Sequence, residues 1–121
     1  MITFAVIATA LYFVGFGLGF LVRPEFADRL GLAWTNAAGR TEIRCYYGAV
    51  SWALAAFLLY LLHGHHGLEA LTGATFLAGA VFTCRVIGTA IDGGWREEYT
   101  RIAIPVEALF VAALLVVRLV G

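Results

Sequence analysis

The sequence predicts an all-α protein: a four-transmembrane-helix bundle with a short interfacial helix after helix 1, in one integral membrane domain covering residues 1–121. Three observations predict it. Hydrophobic residues make up 62% of the 121 and charged residues 13%, whereas an ordinary soluble domain carries about 25% charged residues. A soluble bundle of this size would lack the polar groups to cover its surface, so the natural solvent is lipid. Four stretches reach about 20 mostly apolar residues, the length that crosses a hydrocarbon core. Cap and turn residues separate them.

The first span is residues 2–22, closed by Arg23 and Pro24, since proline ends a helix at the residue before it. It lacks the basic start and the small-residue cleavage pattern of a signal peptide, and reads as a retained span. Gly15 and Gly19 form a GxxxG step that invites close packing by another helix, within the bundle or in a second copy. After it, Phe26, Leu30 and Trp34 recur at spacing four, which predicts a short helix lying in the interface. Glu25 and Arg29 stand at i, i+4 and are placed to pair. The second span runs over about 38–62, with Asn36 as its N-cap. The third runs over about 67–91 and stops at Asp92-Gly93-Gly94. The fourth runs over about 97–120 and carries Pro105, which membrane bundles tolerate.

Eight acidic and eight basic residues balance, which leaves no electrostatic basis for binding nucleic acid. All the basic residues are arginine, which keeps its charge when partly desolvated and forks onto carboxylates. Arg23, Arg29, Arg40, Arg96 and Arg101 cluster at the loops after the first and third spans. The positive-inside rule puts those loops in the cytoplasm and both termini outside. Trp34, Trp95 and Tyr99 then form an aromatic belt at the inner interface.

The informative residues are ionisable groups inside the spans: Glu42 and Arg44 in the second, Arg85 and Asp92 in the third, Glu107 in the fourth. Intramembrane charge is expensive and normally faces the bundle interior with a partner. At about 1.5 Å of rise per residue, Glu42, Arg85 and Glu107 all fall in the cytoplasmic half. Glu42, Arg44, Arg85 and Glu107 sum to zero charge and are expected to form one buried network. Helical spacing puts Glu42, Tyr46, Ala49 and Ala53 on one stripe, and Arg85, Thr89 and Asp92 on another. Tyr46, Tyr47, Ser51 and Thr89 are thereby available to bond the charges, with Gly48 and Gly88 leaving room beside them.

Weaker signals carry less. Cys45 and Cys84 fall at similar depth, as small hydrophobes or a redox pair. His63, His65 and His66 occupy a turn with no carboxylate or cysteine set beside them, so no metal is expected. No buried histidine offers a haem ligand, and no cofactor is expected.

At Glu42-Ile43-Arg44-Cys45-Tyr46-Tyr47-Gly48 and Arg85-Val86-Ile87-Gly88-Thr89-Ala90-Ile91-Asp92-Gly93 the chain resembles a known family. It is similar to the bacterial four-helix membrane proteins of the domain of unknown function 4345 family, themselves like the DoxX-like proteins in plan. The pattern has E-x-R-x-x-Y-G opening the second helix and R-x-x-G-x-x-x-D-G closing the third. A glycine-rich first helix and a glutamate in the fourth complete it, so the resemblance covers nearly the whole chain. It implies a bacterial inner-membrane location and singles out Glu42, Arg44, Tyr47, Gly48, Arg85, Gly88 and Asp92, but it implies no activity.

Three functions compete on these grounds. The charged cluster holds the polar head of an amphiphile such as a lipid, quinone or isoprenoid. Alternatively it only locks helix pairing, in an accessory subunit of a membrane complex or a homo-oligomer. The third is an enzyme with Glu42 and Glu107 as acid and base, which needs both carboxyls in one cavity.

Overall fold

The structure is a computed structural model that describes residues 1–93 and 97–120. Helix α1 spans Ile2–Val22 and is followed by a 3₁₀ helix at Pro24–Leu30. Helix α2 spans Ala37–His63 and contains a π-helical turn at Arg44–Ala49; α3 spans Gly67–Asp92 and α4 spans Glu98–Val120. All four are long and apolar enough to cross a membrane. No strand occurs among the described residues.

The ends follow the residues that predict them. Asn36 adopts extended backbone and its side chain accepts from the Gly39 N–H at 2.9 Å, capping α2. Gly93 closes α3 at φ +71°, where glycine carries no Cβ penalty. Pro24 starts the 3₁₀ helix at a position where no N–H is needed. The α2–α3 turn places His65 at φ +64°, the left-handed region that non-glycine residues enter rarely. Helix α4 continues through Pro105.

The bundle is built from two pairs. Helix α1 lies along α2, α4 lies along α3, and contact between α1 and α3 joins the pairs. Side-chain burial concentrates at the end that carries the chain termini. There Val6, Leu58, Leu71 and Leu114, one from each helix, close a cluster with Ala70 and Ala74. In lipid such a cluster is held by van der Waals contact rather than by exclusion of water. Hydroxyls in the spans return to their own helices: Thr9 donates to Ala5 O, Ser51 to Tyr47 O and Thr75 to Leu71 O, each at 2.8 Å. That satisfies groups that hydrocarbon cannot.

The α1–α2 seam corrects the GxxxG step as a contact within the bundle. A Cβ on Gly15 would meet nothing within 4 Å, and one on Gly19 would touch only the Phe26 ring. The glycine at the crossing is Gly17, where a Cβ would come within 2.5 Å of Trp52 Cδ1 and 2.8 Å of Gly48 O. Gly48 answers from α2, where a Cβ would lie 2.7 Å from Leu21 Cγ. Trp52 donates its indole N–H to Val14 O at 3.0 Å. The seam is therefore glycine against glycine, pinned by one interhelical hydrogen bond.

The 3₁₀ segment bears out a short helix after α1 and corrects its pairing. With three residues per turn, i and i+3 eclipse and i+4 does not. Arg29 accordingly lies over the Phe26 ring, 5.6 Å from its centroid. Glu25 turns instead to Arg40 of α2, at 2.5 Å, and Arg40 also covers the Trp34 ring at 5.8 Å.

Replacing Gly17 by alanine should lower the thermal midpoint in detergent, at a cost of about 1–3 kcal/mol for overpacking. Gly15→Ala, into open space, should leave the midpoint unchanged or raise it. Equal loss in both variants would show that the seam is not where the helices are tightest.

Candidate functional site

Of the expected four-residue network, one pair forms. Arg85 Nε lies 2.8 Å from both Glu107 Oε1 and Glu107 Oε2, tying α3 to α4. The guanidinium also sits over the Tyr99 ring, 5.3 Å from its centroid. Tyr99 and Glu107 are eight residues apart, so they share one face of α4 and hold Arg85 between them. The pair is not buried as expected: the two side chains keep 26% and 24% of their surface exposed. The carboxylate is met through Nε.

Glu42 does not join. It is exposed, and α2 packs on α1 rather than on α4. Helical spacing was right that Glu42, Tyr46, Ala49 and Ala53 share a stripe, but all four are exposed and the stripe faces out of the bundle. Tyr46 is 67% exposed. The reason is the glycine seam, which turns Gly48 and Ser51 of α2 toward α1 and leaves the opposite face outward. Arg44 is partly buried at the same end, with its Nε enclosed and unbonded among the described residues. With Glu42 away from Glu107, the acid–base pair of the enzymatic reading is not assembled.

The remaining predicted residues separate. Tyr47 is half-buried among α1 aromatics, with ring centroids 5.2 Å from Phe20 and 6.5 Å from Phe16. Thr89 is half-buried one turn below Arg85, and Asp92 is exposed at the helix exit. Gly88 faces open space, whereas Gly48 is filled by Leu21. Cys45 and Cys84 are free and exposed, on helices that pack against different neighbours. A carboxylate does stand near the histidine turn: His66 Nδ1 is 3.8 Å from Glu69 Oε2. Trp95 and Arg96, expected in the aromatic belt and the basic loop, lie outside the described residues.

Two features escaped the reading of the sequence. Tyr12 packs on Phe110 with centroids 6.1 Å apart, which brings α1 to α4 one turn from Glu107. Cavities also open beside the ion pair. A hollow of about 370 Å³ is lined by Ala80, Val81, Cys84 and Arg85. Ala80 and Cys84 are shared with a longer furrow of about 1140 Å³ between α3 and α4. Small residues at 79, 80, 84 and 88 of α3 are the signal that was present, since they leave no bulk to close that gap.

Four apolar spans folded as one helical bundle define a multi-pass integral membrane protein. Comparison with family models, with curated proteins and with solved structures gave no match.

Outside the spans, Glu25 is held below its ordinary pKa, first by its own backbone N–H and then by the Arg40 guanidinium. A lowered pKa means the carboxylate stabilises the fold when ionised. That contribution is complete above the ordinary carboxylate range and is lost as pH falls through the lowered value. The indole signal of Trp34, which shares Arg40, should therefore shift in NMR on acidification below about pH 4. Glu25→Gln should abolish that step.

Proposed function

We propose that this membrane protein holds an amphiphile, such as a lipid, quinone or isoprenoid, with its polar head on the Arg85–Glu107 pair. Its chain lies in the furrow between α3 and α4. The observation that carries this is a guanidinium, held by Glu107 through Nε, standing at an apolar cavity. Arg85 lines the small hollow, and through Ala80 and Cys84 the hollow meets the furrow. A head with an oxygen acceptor bonds the Arg85 guanidinium, strengthened by the low dielectric of the site. Glu107 keeps the guanidinium oriented and neutralises it when no ligand is bound. Tyr99 adds an aromatic face beside it. The positive-inside rule puts this end of the bundle toward the cytoplasm, so the head enters from that leaflet. The resemblance to the domain of unknown function 4345 family, with a bacterial inner-membrane location, belongs to the same reading.

A second reading is favoured by the ion pair itself. One arginine joining two helices also fixes their register, which suits an accessory subunit that docks on a larger assembly or on a second copy.

The two readings part in one experiment. Native mass spectrometry on protein extracted in mild detergents should show a retained small molecule, lost in Arg85→Gln while circular dichroism still shows the helices. Unliganded mass in every detergent would argue against the amphiphile. If Arg85→Gln instead lowers the thermal midpoint by stranding the Glu107 carboxylate, and no ligand is released, the pair is a lock only.

A further inference from the structure

The furrow between α3 and α4 has a second polar end, and it lies at the other face of the membrane. From Thr72 to Ile91 its α3 wall runs about 28 Å at 1.5 Å per residue, close to the roughly 30 Å of a hydrocarbon core. At the terminus-side end stand Thr72 and Arg118, both lining the furrow. The Thr72 hydroxyl donates to Leu68 O at 2.8 Å and accepts from Arg118 Nε at 2.9 Å. This relay fixes the plane of the guanidinium. Arg118 makes no ion pair among the described residues, and its terminal nitrogens have no acceptor there. It stands two residues inside the end of α4 and Thr72 five inside the start of α3, the depth of lipid phosphates.

We infer that Arg118, set by Thr72, binds the phosphate of an anionic phospholipid from the leaflet on the terminus side, with an acyl chain in the adjoining half of the furrow. Charge selects this occupant: the cation lacks an acidic partner among the described residues, and a phosphate supplies several acceptor oxygens. Shape agrees, since Gly79 faces open space on the α3 wall and leaves a chain-wide gap. A second copy fits less well. Two-fold pairing through this face, about an axis along the membrane normal, would set Arg118 of each copy at the same depth, like charge toward like charge. The site is separate from Arg85 and stands or falls without it.

The test uses the full chain in nanodiscs of phosphatidylcholine with a minor share of phosphatidylglycerol, with lipids retained after release counted by native mass spectrometry. Wild-type protein should retain phosphatidylglycerol in preference. Arg118→Gln should cut that preference about five- to tenfold, the worth of one arginine at an anionic headgroup. Arg118→Lys should keep part of it. Thr72→Val, which preserves charge and volume, should lower it about two- to threefold by freeing the guanidinium. Arg23→Gln removes an equal charge from the opposite face and should leave the preference intact. Loss as large in Arg23→Gln as in Arg118→Gln would make the effect one of net charge and overturn the site. Equal retention of the two lipids by wild type would overturn it too. So would a Cys84–Cys84 crosslink between copies in a Cys45→Ser background, which would give the furrow to a second protomer.

Discussion

A guanidinium and a carboxylate facing each other between two apolar helices is the interaction on which the rest of this bundle depends. Inserting either charge alone near the bilayer centre costs about 2.5–3.5 kcal/mol on insertion scales. Arg85 and Glu107 offset that cost only because α3 and α4 bring them to 2.8 Å. The pairing therefore constrains both helices at once. It sets which face of α4 meets α3, and with it the position of Tyr99 over the guanidinium. The remaining face of α3, rich in small residues, is then turned along the furrow.

The bundle meets this constraint by dividing labour between its ends. At the terminus side, one large residue from each helix closes the packing, with Leu71 and Val6 fully enclosed. At the other side, α1 is committed to α2 through Gly17 and Gly48, and α3 and α4 are left to solve the charge problem as a pair. Helix α1 touches α4 only lightly, with Tyr12 against Phe110 as its contribution near the charges. A bundle tight at one end and less closed at the other can present polar atoms to a cavity without exposing backbone to lipid. That matters because backbone groups in hydrocarbon have no alternative partner.

The number of spans, their limits and their caps were legible in the sequence because each rests on local chemistry. Length of apolar run, Pro24 after Arg23, Asn36 before Gly39 and glycine at 93 act within a turn of where they stand. The charged network was only half legible. Depth along the helix axis is readable from residue count, and it placed Arg85 and Glu107 at compatible levels. Azimuth is not, because it depends on which neighbour each helix chooses. Glu42 has the right depth and the wrong azimuth, and the choice was made elsewhere, by Gly17 meeting Gly48. The alternation Gly15, Gly17, Gly19 offered two faces to a partner, and spacing alone favoured the wrong one. The 3₁₀ turn after α1 illustrates the same limit. Three residues per turn rather than 3.6 moved Arg29 onto Phe26 and released Glu25 to reach Arg40.

The two arginines on the α3–α4 pair share a design that neither shows alone. Each spends its Nε on a fixed acceptor of the neighbouring helix, Glu107 for Arg85 and Thr72 for Arg118. An arginine meant only to bind helices together gains most by using the whole fork, since parallel bonds to one carboxylate are stronger than one shared nitrogen. Anchoring by Nε restricts the side chain, lowering the entropy still to be lost on binding. Arg118 lines the furrow, and Arg85 lines the hollow that shares Ala80 and Cys84 with it. A purely structural role for Arg85 accounts for one of them. The amphiphile-binding face proposed above would use both with the same physics: an oriented cation beside an apolar hollow that hydrocarbon chains would fill.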